Sequence, residues 1–129
     1  MVQQIIIADD HPLFRAALRQ AVSEAVPDAQ MIEVDSIKTL QASIVEHPDA
    51  DLVLLDLNMP GAHGFSGPVF MRGQYPGLPV VVVSGSEELQ VMRRSIDYGA
   101  SGFIPKSAPL PTITAAIQDV LDGEVWLPP

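Results

Sequence analysis

The sequence predicts an α/β protein in which helices cover both faces of an open, parallel β-sheet. Short apolar runs alternate five times with segments of helical periodicity, the order expected of a sheet built from strand-helix units. Four of the five runs lack the polar alternation of a strand with one face in water. Because the connections are short, each helix is expected to return the chain by a right-handed crossover.

The five predicted strands are bounded by turn or charged residues. They comprise residues 5–8, 31–34, 52–55, 80–83 and 102–104. Helical spacing marks four of the intervening segments, which comprise residues 14–25, 37–44, 89–96 and 113–121. Pro12 suits the first turn of the first helix, and Ser86 is placed to cap the fourth. Gly99 and Gly123 follow the fourth and fifth helices as stop signals.

The third helix is the weak point of this pattern. Gly67, Pro68 and Gly73 all stand between residues 64 and 76. A proline inside a helix costs about 3 kcal/mol. We therefore expect this helix to begin late, near Pro68, or to be kinked and mobile.

Composition narrows the class of protein. The 129 residues include 7 Lys or Arg and 16 Asp or Glu, a formal charge of −9, and 47% of them are hydrophobic. These values predict one folded domain and argue against nucleic-acid binding by this chain itself. The absence of cysteine excludes disulfides and thiolate chemistry. The apolar runs are too short to span a bilayer, so we expect a cytoplasmic protein with no membrane partner.

Polar and charged side chains follow four of the predicted strands. Asp9 and Asp10 follow the first strand, and Asp56 follows the third. Ser84 follows the fourth, and the fifth runs into Lys106. In an open parallel sheet, ligands bind beyond the carboxyl ends of the strands. Three carboxylates, a hydroxyl and an ammonium are therefore expected to converge at one edge.

Carboxylates gathered in this way repel one another. At about 4 Å and an effective dielectric constant near 20, each charged pair costs about 4 kcal/mol, and one lysine cannot offset three acids. Either one carboxyl holds a proton, or a hard divalent cation lies among them. Mg²⁺ fits, because it binds carboxylate, phosphate and water oxygens. A carboxylate, a metal, a hydroxyl and an ammonium together suit phosphoryl transfer.

Four motifs in register give the chain a resemblance to a known family. They are Ala8-Asp9-Asp10-His11-Pro12, Leu55-Asp56-Leu57-Asn58-Met59-Pro60 with Gly64, Val83-Ser84-Gly85, and Gly102-Phe103-Ile104-Pro105-Lys106. Over essentially its whole length the chain resembles the response-regulator receiver domains of bacterial two-component signalling. The resemblance implies a flavodoxin-like (βα)5 fold with strand order 2-1-3-4-5, and a Mg²⁺ cofactor.

The same resemblance implies the metal ligands. Asp10 and Asp56 match direct ligands of Mg²⁺, together with the backbone carbonyl of Asn58. Asp9 matches an acidic neighbour that holds metal-bound water.

The phosphorylation chemistry is implied in the same way. Asp56 matches the phosphoacceptor, which takes the phosphoryl group from a histidine kinase. Ser84 and Lys106 match the groups that contact the phosphoryl oxygens, and Gly85 matches a position kept small. Phe103 matches the switch aromatic that rotates inward when Ser84 moves. The chain is therefore expected to be a signalling switch rather than an enzyme.

Two segments resemble the LuxR/NarL type of response regulator: Asp-Asp-His-Pro-Leu-Phe-Arg after the first strand, and residues 123–129. The resemblance implies a receiver in residues 1–123 and, in 124–129, the start of a linker to a helix-turn-helix domain. The implied partners are a sensor histidine kinase, a second copy in a phosphorylation-dependent homodimer, and DNA through that further domain only. The alternative is a stand-alone receiver that acts by protein contact.

Two rival classes use similar groups. A small aspartyl-phosphate phosphohydrolase would carry its nucleophile on the first strand with a second Asp two residues later, whereas Asn58 stands at that position on the third strand here. A flavodoxin-like nucleotide carrier would need a Ser/Thr/Gly-rich phosphate loop after the first strand. His11 is interpreted as a turn residue beside the site, and His47 and His63 as exposed residues.

Overall fold

The central sheet has five parallel strands in the order β2-β1-β3-β4-β5, as predicted. The structure is a computed structural model that describes residues 2–128. Its strands are β1 (Gln4–Ala8), β2 (Gln30–Val34), β3 (Leu52–Asp56), β4 (Val80–Ser84) and β5 (Gly102–Pro105). Residues of β3 and β4 are buried along the whole length of each strand, because helices cover both faces there. The edge strand β2 is partly exposed, which explains its polar alternation.

Five helices connect and follow these strands. They are α1 (Pro12–Ala25), α2 (Ile37–Glu46), α3 (Ser66–Gln74), α4 (Leu89–Asp97) and α5 (Leu110–Leu121). Apolar residues of α1 and α5 pack on the face of the sheet that carries Ile5 and Ile7. Those of α2 and α3 pack on the face that carries Ile6, while α4 covers a third cluster around Phe103. In the described part of the chain, no helix combines the length and the apolar character needed to cross a membrane.

The ends of α4 and α5 test the predicted cap and stop signals. Gly99 and Gly123 follow these helices with φ angles of 100° and 90°, the left-handed conformation that glycine adopts without strain. The predicted cap of α4 was wrong: Glu88 is the N-cap and makes no side-chain cap bond. Ser86 precedes Glu88 by two residues. Its N–H donates to Ser84 Oγ at 3.0 Å, and this bond holds Ser86 in the loop before the helix. Its Oγ still accepts the Glu88 N–H at 3.2 Å.

The third helix begins late, as predicted, at Ser66. Pro68 therefore falls in the first turn, where a backbone N–H would have no partner within the helix. Gly67 is buried, and a Cβ atom on it would lie 3.2 Å from Leu55 Cδ2. The glycine thus allows the start of α3 to approach β3 closely. The expected mobility of this segment stays a prediction.

The segment after α5 returns to the sheet. The Trp126 N–H donates to the Ser101 carbonyl at 3.0 Å, and the Phe103 N–H donates to the Trp126 carbonyl at 3.3 Å. Trp126 forms an isolated parallel bridge with Gly102 and packs against the α1–α5 side of the core. This segment therefore adds backbone pairing at the outer edge of β5. Its interpretation as the start of a linker stays a prediction, and Pro129 lies outside the described residues.

Candidate functional site

The strands bring the predicted site residues to one edge of the sheet. Asp56 and Ser84 are the last residues of β3 and β4, and Asp9 and Lys106 directly follow β1 and β5. Strands β1, β3, β4 and β5 are neighbours in the sheet, so their carboxyl ends lie side by side. The sheet topology alone therefore explains why residues so distant in sequence meet.

Two of the three acids are completely buried. Asp9 and Asp56 have no solvent-accessible surface, and 32% of the Asp10 side chain is exposed. Lys106 Nζ lies 3.3 Å from Asp56 Oδ2 and 3.4 Å from Asp9 Oδ2. One ammonium thus faces two buried carboxylates, which leaves an excess of negative charge at the edge of the sheet.

Local backbone bonds fix the direction of the buried carboxylates. Asp9 Oδ1 accepts the N–H of His11 at 2.7 Å, and Asp56 Oδ1 accepts the N–H of Asn58 at 3.1 Å. Each acid thereby closes a turn onto the residue two positions later, a common use of Asp after a strand. One oxygen of each carboxylate is occupied by the turn, and the other is free to face Lys106.

Two carboxylate oxygens at this edge accept no hydrogen bond from residues 2–128. Asp9 Oδ2 and Asp10 Oδ1 are both buried, and Asp9 Oδ2 has only the 3.4 Å ion pair with Lys106. Leaving a buried charged acceptor unsatisfied is expensive, so natural proteins rarely retain one without a ligand. Ligand atoms of Asp9, Asp10, His11 and Asp56 lie within 4.8 Å of one another. The donor set therefore fits a divalent cation that prefers oxygen ligands.

The hydroxyl and the small residue after β4 border the same edge. Ser84 is buried, and its carbonyl accepts the Lys106 N–H at 2.7 Å, which ties the ends of β4 and β5 together. A Cβ atom on Gly85 would meet no atom within 4 Å. Gly85 shares an open pocket with Asn58, Lys106 and His11, so this position leaves space beside the acids.

Phe103 points into the protein. It is 1% exposed and packs with Leu57, Val82 and Ala100 beneath apolar residues of α4. In the sheet register it pairs with Val82, two residues before Ser84. Phe103, the predicted switch aromatic, therefore lies between the end of β4 and α4 and is buried in the core.

His11 lies in the turn beside the site, as expected from the sequence, and its imidazole contacts the acids directly. His11 Nδ1 lies 3.3 Å from an oxygen of each of Asp9, Asp10 and Asp56, and 2.7 Å from Lys106 Nζ. His11 is the N-cap of α1 but makes no side-chain cap bond, so its imidazole is free to turn back over the acids. The sequence signal for this contact was the histidine itself, which directly follows Asp9 and Asp10. His63 is exposed as expected, and His47 is partly buried.

The chain is similar to response regulators in sequence. It is 44% identical over 126 residues to a glycerol metabolism activator of Pseudomonas putida, covering 98% of this chain and 57% of that protein. It is 31% identical over 123 residues to the nitrate/nitrite response regulator protein NarL of Escherichia coli strain K12, covering 95% and 56% of the two chains. The chain therefore spans less than two thirds of these relatives.

A solved structure supports the same grouping. The signal receiver domain of the response regulator NarL from Mycobacterium tuberculosis superposes with a TM-score of 0.80 at 27% identity, covering 95% of this chain and 98% of that one. The family model described as the response regulator receiver domain matches residues 5–118. The chain belongs to the response-regulator receiver family and is a receiver domain homologous to LuxR/NarL-type regulators.

Proposed function

We propose that this receiver domain works by accepting a phosphoryl group on Asp56. The observation that carries the proposal is the Asp56 carboxylate itself, buried at the end of β3 with its Oδ2 atom 3.3 Å from Lys106 Nζ. Its Oδ1 atom is held by the Asn58 N–H. One oxygen is therefore held by the backbone, and the other, in contact with Lys106, is the proposed nucleophile.

The proposed transfer needs no further protein nucleophile. An Asp56 oxygen attacks the phosphorus of a phosphohistidine on a sensor kinase, forming an O–P bond as the N–P bond breaks. The departing imidazole keeps the electron pair and takes up a proton. Lys106 and Ser84 donate to the phosphoryl oxygens, where negative charge accumulates. Later attack by water on phosphorus releases phosphate and restores the Asp56 carboxylate.

Receiver domains bind Mg²⁺ at an acidic pocket, and this chain has suitable residues. We assign direct binding to Asp10, Asp56 and the Asn58 carbonyl, and water-mediated binding to Asp9. When bound, Mg²⁺ supplies positive charge that lowers the repulsion between the carboxylates and an incoming phosphoryl group. The unsatisfied oxygens of Asp9 and Asp10 support this assignment.

Phosphorylation would change the pocket electrostatically. It adds a charge of about −1.5 to −2 and new acceptor oxygens beside Lys106 and Ser84. A movement of Ser84 toward those oxygens pulls on the end of β4, next to the cluster that contains Phe103. We assign the output to the face formed by α4, β5 and α5, and to a homodimer formed on phosphorylation. The domain would turn over only its own phosphoryl group.

The proposed role of the whole protein follows from its relatives. Receiver domains of response regulators interact with histidine kinases, and the two relatives described above are a metabolic activator and a nitrate/nitrite response regulator. We propose that this receiver controls transcription through a helix-turn-helix DNA-binding domain beyond Pro129. A chain of net charge −9 would itself contribute no DNA-binding surface.

Labelling with acetyl phosphate tests the central assignment. We expect intact-protein mass spectrometry to show one phosphoryl addition per chain in the presence of Mg²⁺ and none after chelation. Asp56→Asn should abolish the addition, because an amide cannot attack phosphorus as a carboxylate does.

Asp51→Asn is the matched control. Asp51 precedes the other end of β3, where its carboxylate accepts the Gln4 N–H at 2.8 Å. This variant should be labelled like the wild type. Labelling of Asp56→Asn at the wild-type level would refute the phosphoacceptor assignment. Many turnovers of a phosphomonoester per chain would instead indicate a phosphohydrolase.

A further inference from the structure

We propose that two arginines, Arg72 of α3 and Arg94 of α4, clamp these helices together and oppose the movement of α4 that follows phosphorylation of Asp56. The clamp itself rests on contacts within the structure. Its effect on switching also rests on the proposed function. Each part therefore has its own test.

Arg94 links α4 to the start of α3. Its guanidinium carbon lies 4.5 Å from the centroid of the Phe65 ring and 5.9 Å from that of the Tyr98 ring. Phe65 is the N-cap of α3, and Tyr98 is the C-cap of α4. The two rings lie 5.4 Å apart, and Arg94 Nη2 donates to the Tyr98 hydroxyl at 3.4 Å. Because a guanidinium is attracted to an aromatic face, Arg94 holds the start of α3 against α4.

Arg72 makes the second link, from α3 to the end of α4. Its Nη1 atom donates to the Asp97 carbonyl at 3.0 Å. The last carbonyls of a helix have no donor within the helix, so this bond satisfies one of them. A Cβ atom on Gly99 would lie 3.0 Å from Arg72 Cδ. The glycine after α4 thus leaves room for the arginine that holds the end of this helix.

Burial holds α4 less firmly than it holds the other helices. Among the helices of residues 2–128, α4 has one buried residue, Ser95, whereas α1, α2 and α3 have three each and α5 has four. A cavity of about 340 Å³ is lined by Met71 and Arg72 of α3 and by Tyr98 and Ala100 at the end of α4. The arginine contacts therefore join the two helices where close apolar packing is interrupted.

Hydrogen bonds connect the phosphorylation site to the other end of α4. The Ser86 N–H donates to Ser84 Oγ at 3.0 Å. The N–H of Glu88, the N-cap of α4, donates in turn to Ser86 Oγ at 3.2 Å. The movement of Ser84 proposed above would displace the acceptor of the Ser86 N–H and so pull on the start of α4.

The clamp would resist that pull. Displacement of α4 relative to α3 lengthens the contact of Arg94 with Phe65 and that of Arg72 with the Asp97 carbonyl. Contacts that a movement breaks favour the arrangement that precedes it. Loosening the clamp should therefore make the displaced arrangement of α4 easier to reach.

Titration with beryllofluoride, a mimic of the phosphoryl group, tests the effect on switching. Arg94→Ala removes the guanidinium, and Phe65→Leu removes the aromatic face but keeps an apolar side chain beside the Phe103 cluster. An exposed cation–π contact shifts an equilibrium by about two- to fivefold, so in saturating Mg²⁺ each variant should bind beryllofluoride about two to five times more tightly than the wild type. The effects should not add in the double variant, because both substitutions remove the same contact.

Arg93→Ala is the matched control for the lost charge. Arg93 precedes Arg94 in α4, is exposed, and has no cation–π contact or ion pair within residues 2–128. It should bind beryllofluoride like the wild type. An effect of Arg93→Ala equal to that of Arg94→Ala would assign the change to net charge and would refute the clamp.

Amide hydrogen exchange without any phosphoryl mimic tests the clamp itself. We expect Arg94→Ala, and Arg72→Met with its shorter reach and no donor, to speed exchange in α4 by at least about twofold and to leave α1 unchanged. Unchanged exchange in α4 would overturn the clamp. Faster exchange with unchanged beryllofluoride affinity would overturn its effect on switching. Failure of the wild type to bind beryllofluoride would overturn the proposed phosphoacceptor site and the switching effect together, and the exchange rates would still decide the clamp.

Discussion

At the scale of single residues, the site combines full burial with excess negative charge. Asp9 and Asp56 are inaccessible to solvent, and within residues 2–128 Lys106 is the one Lys or Arg side chain within 4.0 Å of either carboxylate. Oxygen atoms of Asp9 and Asp56 lie within 4.8 Å of each other. Two carboxylates this close destabilise the folded state, because water solvates each of them separately in the unfolded chain. The residues proposed to bind metal and phosphoryl groups are thus expected to reduce the stability of the metal-free protein.

The variant Asp56→Asn should therefore be more stable than the wild type without divalent metal. We expect its free energy of unfolding to rise by about 1 to 2 kcal/mol, because one buried negative charge is removed. The amide oxygen of the new side chain can still accept the Asn58 N–H that holds Asp56 Oδ1. Urea unfolding in a chelating buffer measures the difference.

Asp49→Asn provides the comparison for that measurement. Asp49 is exposed, so its substitution should change the free energy of unfolding by less than about 0.5 kcal/mol. A metal-free Asp56→Asn protein less stable than the wild type would show that the acids do not repel one another as argued.

The positions of most charged groups at the site could be predicted from the sequence, because each of these residues lies at the end of a predicted strand. Asp9, Asp56 and Lys106 meet since parallel strands have their carboxyl ends at one edge. His11 lies in the turn beside the site, as expected, but its direct contact with the three acids was not predicted, because adjacency in the chain does not specify where a side chain turns. The imidazole lies over the acids at the start of α1, 2.7 Å from Nζ of Lys106, which is 95 residues away in the sequence.

At the scale of elements, α3 shows two glycines with opposite roles. Gly67 is buried against Leu55 at the start of the helix, whereas a Cβ atom on Gly73 would meet nothing within 4 Å. The sequence indicated that glycine and proline would delay this helix, and the helix does begin late. It could not distinguish a glycine required for close packing from one that is not, because that depends on the distance between α3 and β3.

Gly73→Ala should stabilise the protein. Alanine loses less conformational entropy than glycine in a helix, so we expect the free energy of unfolding to rise by about 0.5 to 1 kcal/mol. Thermal or urea unfolding measures this change.

Gly67→Val is the matched variant in the same helix. Its side chain would press on Leu55, and overpacking of this kind costs about 1 to 3 kcal/mol. Equal effects of the two substitutions would show that the close approach of α3 to β3 is unimportant for stability.

At the scale of the whole molecule, the parallel sheet and its two helical layers were predictable from the alternation of strands and helices, and the strand order from the family resemblance, but the return of the chain end was not. Five repeats of strand and helix, with short connections, favour an open parallel sheet with right-handed crossovers. The pairing of Trp126 with Gly102 depends instead on a contact between the chain end and β5 that no local pattern specifies. Gly102 allows this pairing because glycine has no Cβ atom. A Cβ atom at that position would lie only 3.3 Å from the Trp126 carbonyl oxygen.

Ion binding should connect the acidic pocket to the stability of the entire domain. A ligand that binds the folded state alone raises the free energy of unfolding by about 1.4 kcal/mol for each tenfold increase above its dissociation constant. We therefore expect the melting temperature to rise with Mg²⁺ at constant ionic strength.

NaCl at matched ionic strength is the control for salt screening. It measures how far screening of the −9 charge stabilises the protein without any ion in the acidic pocket. Asp10→Ala should respond equally to both salts, whereas Asp49→Asn should keep the additional Mg²⁺ response. An additional response retained in Asp10→Ala would show that the ion stabilises the protein at some other group of acids.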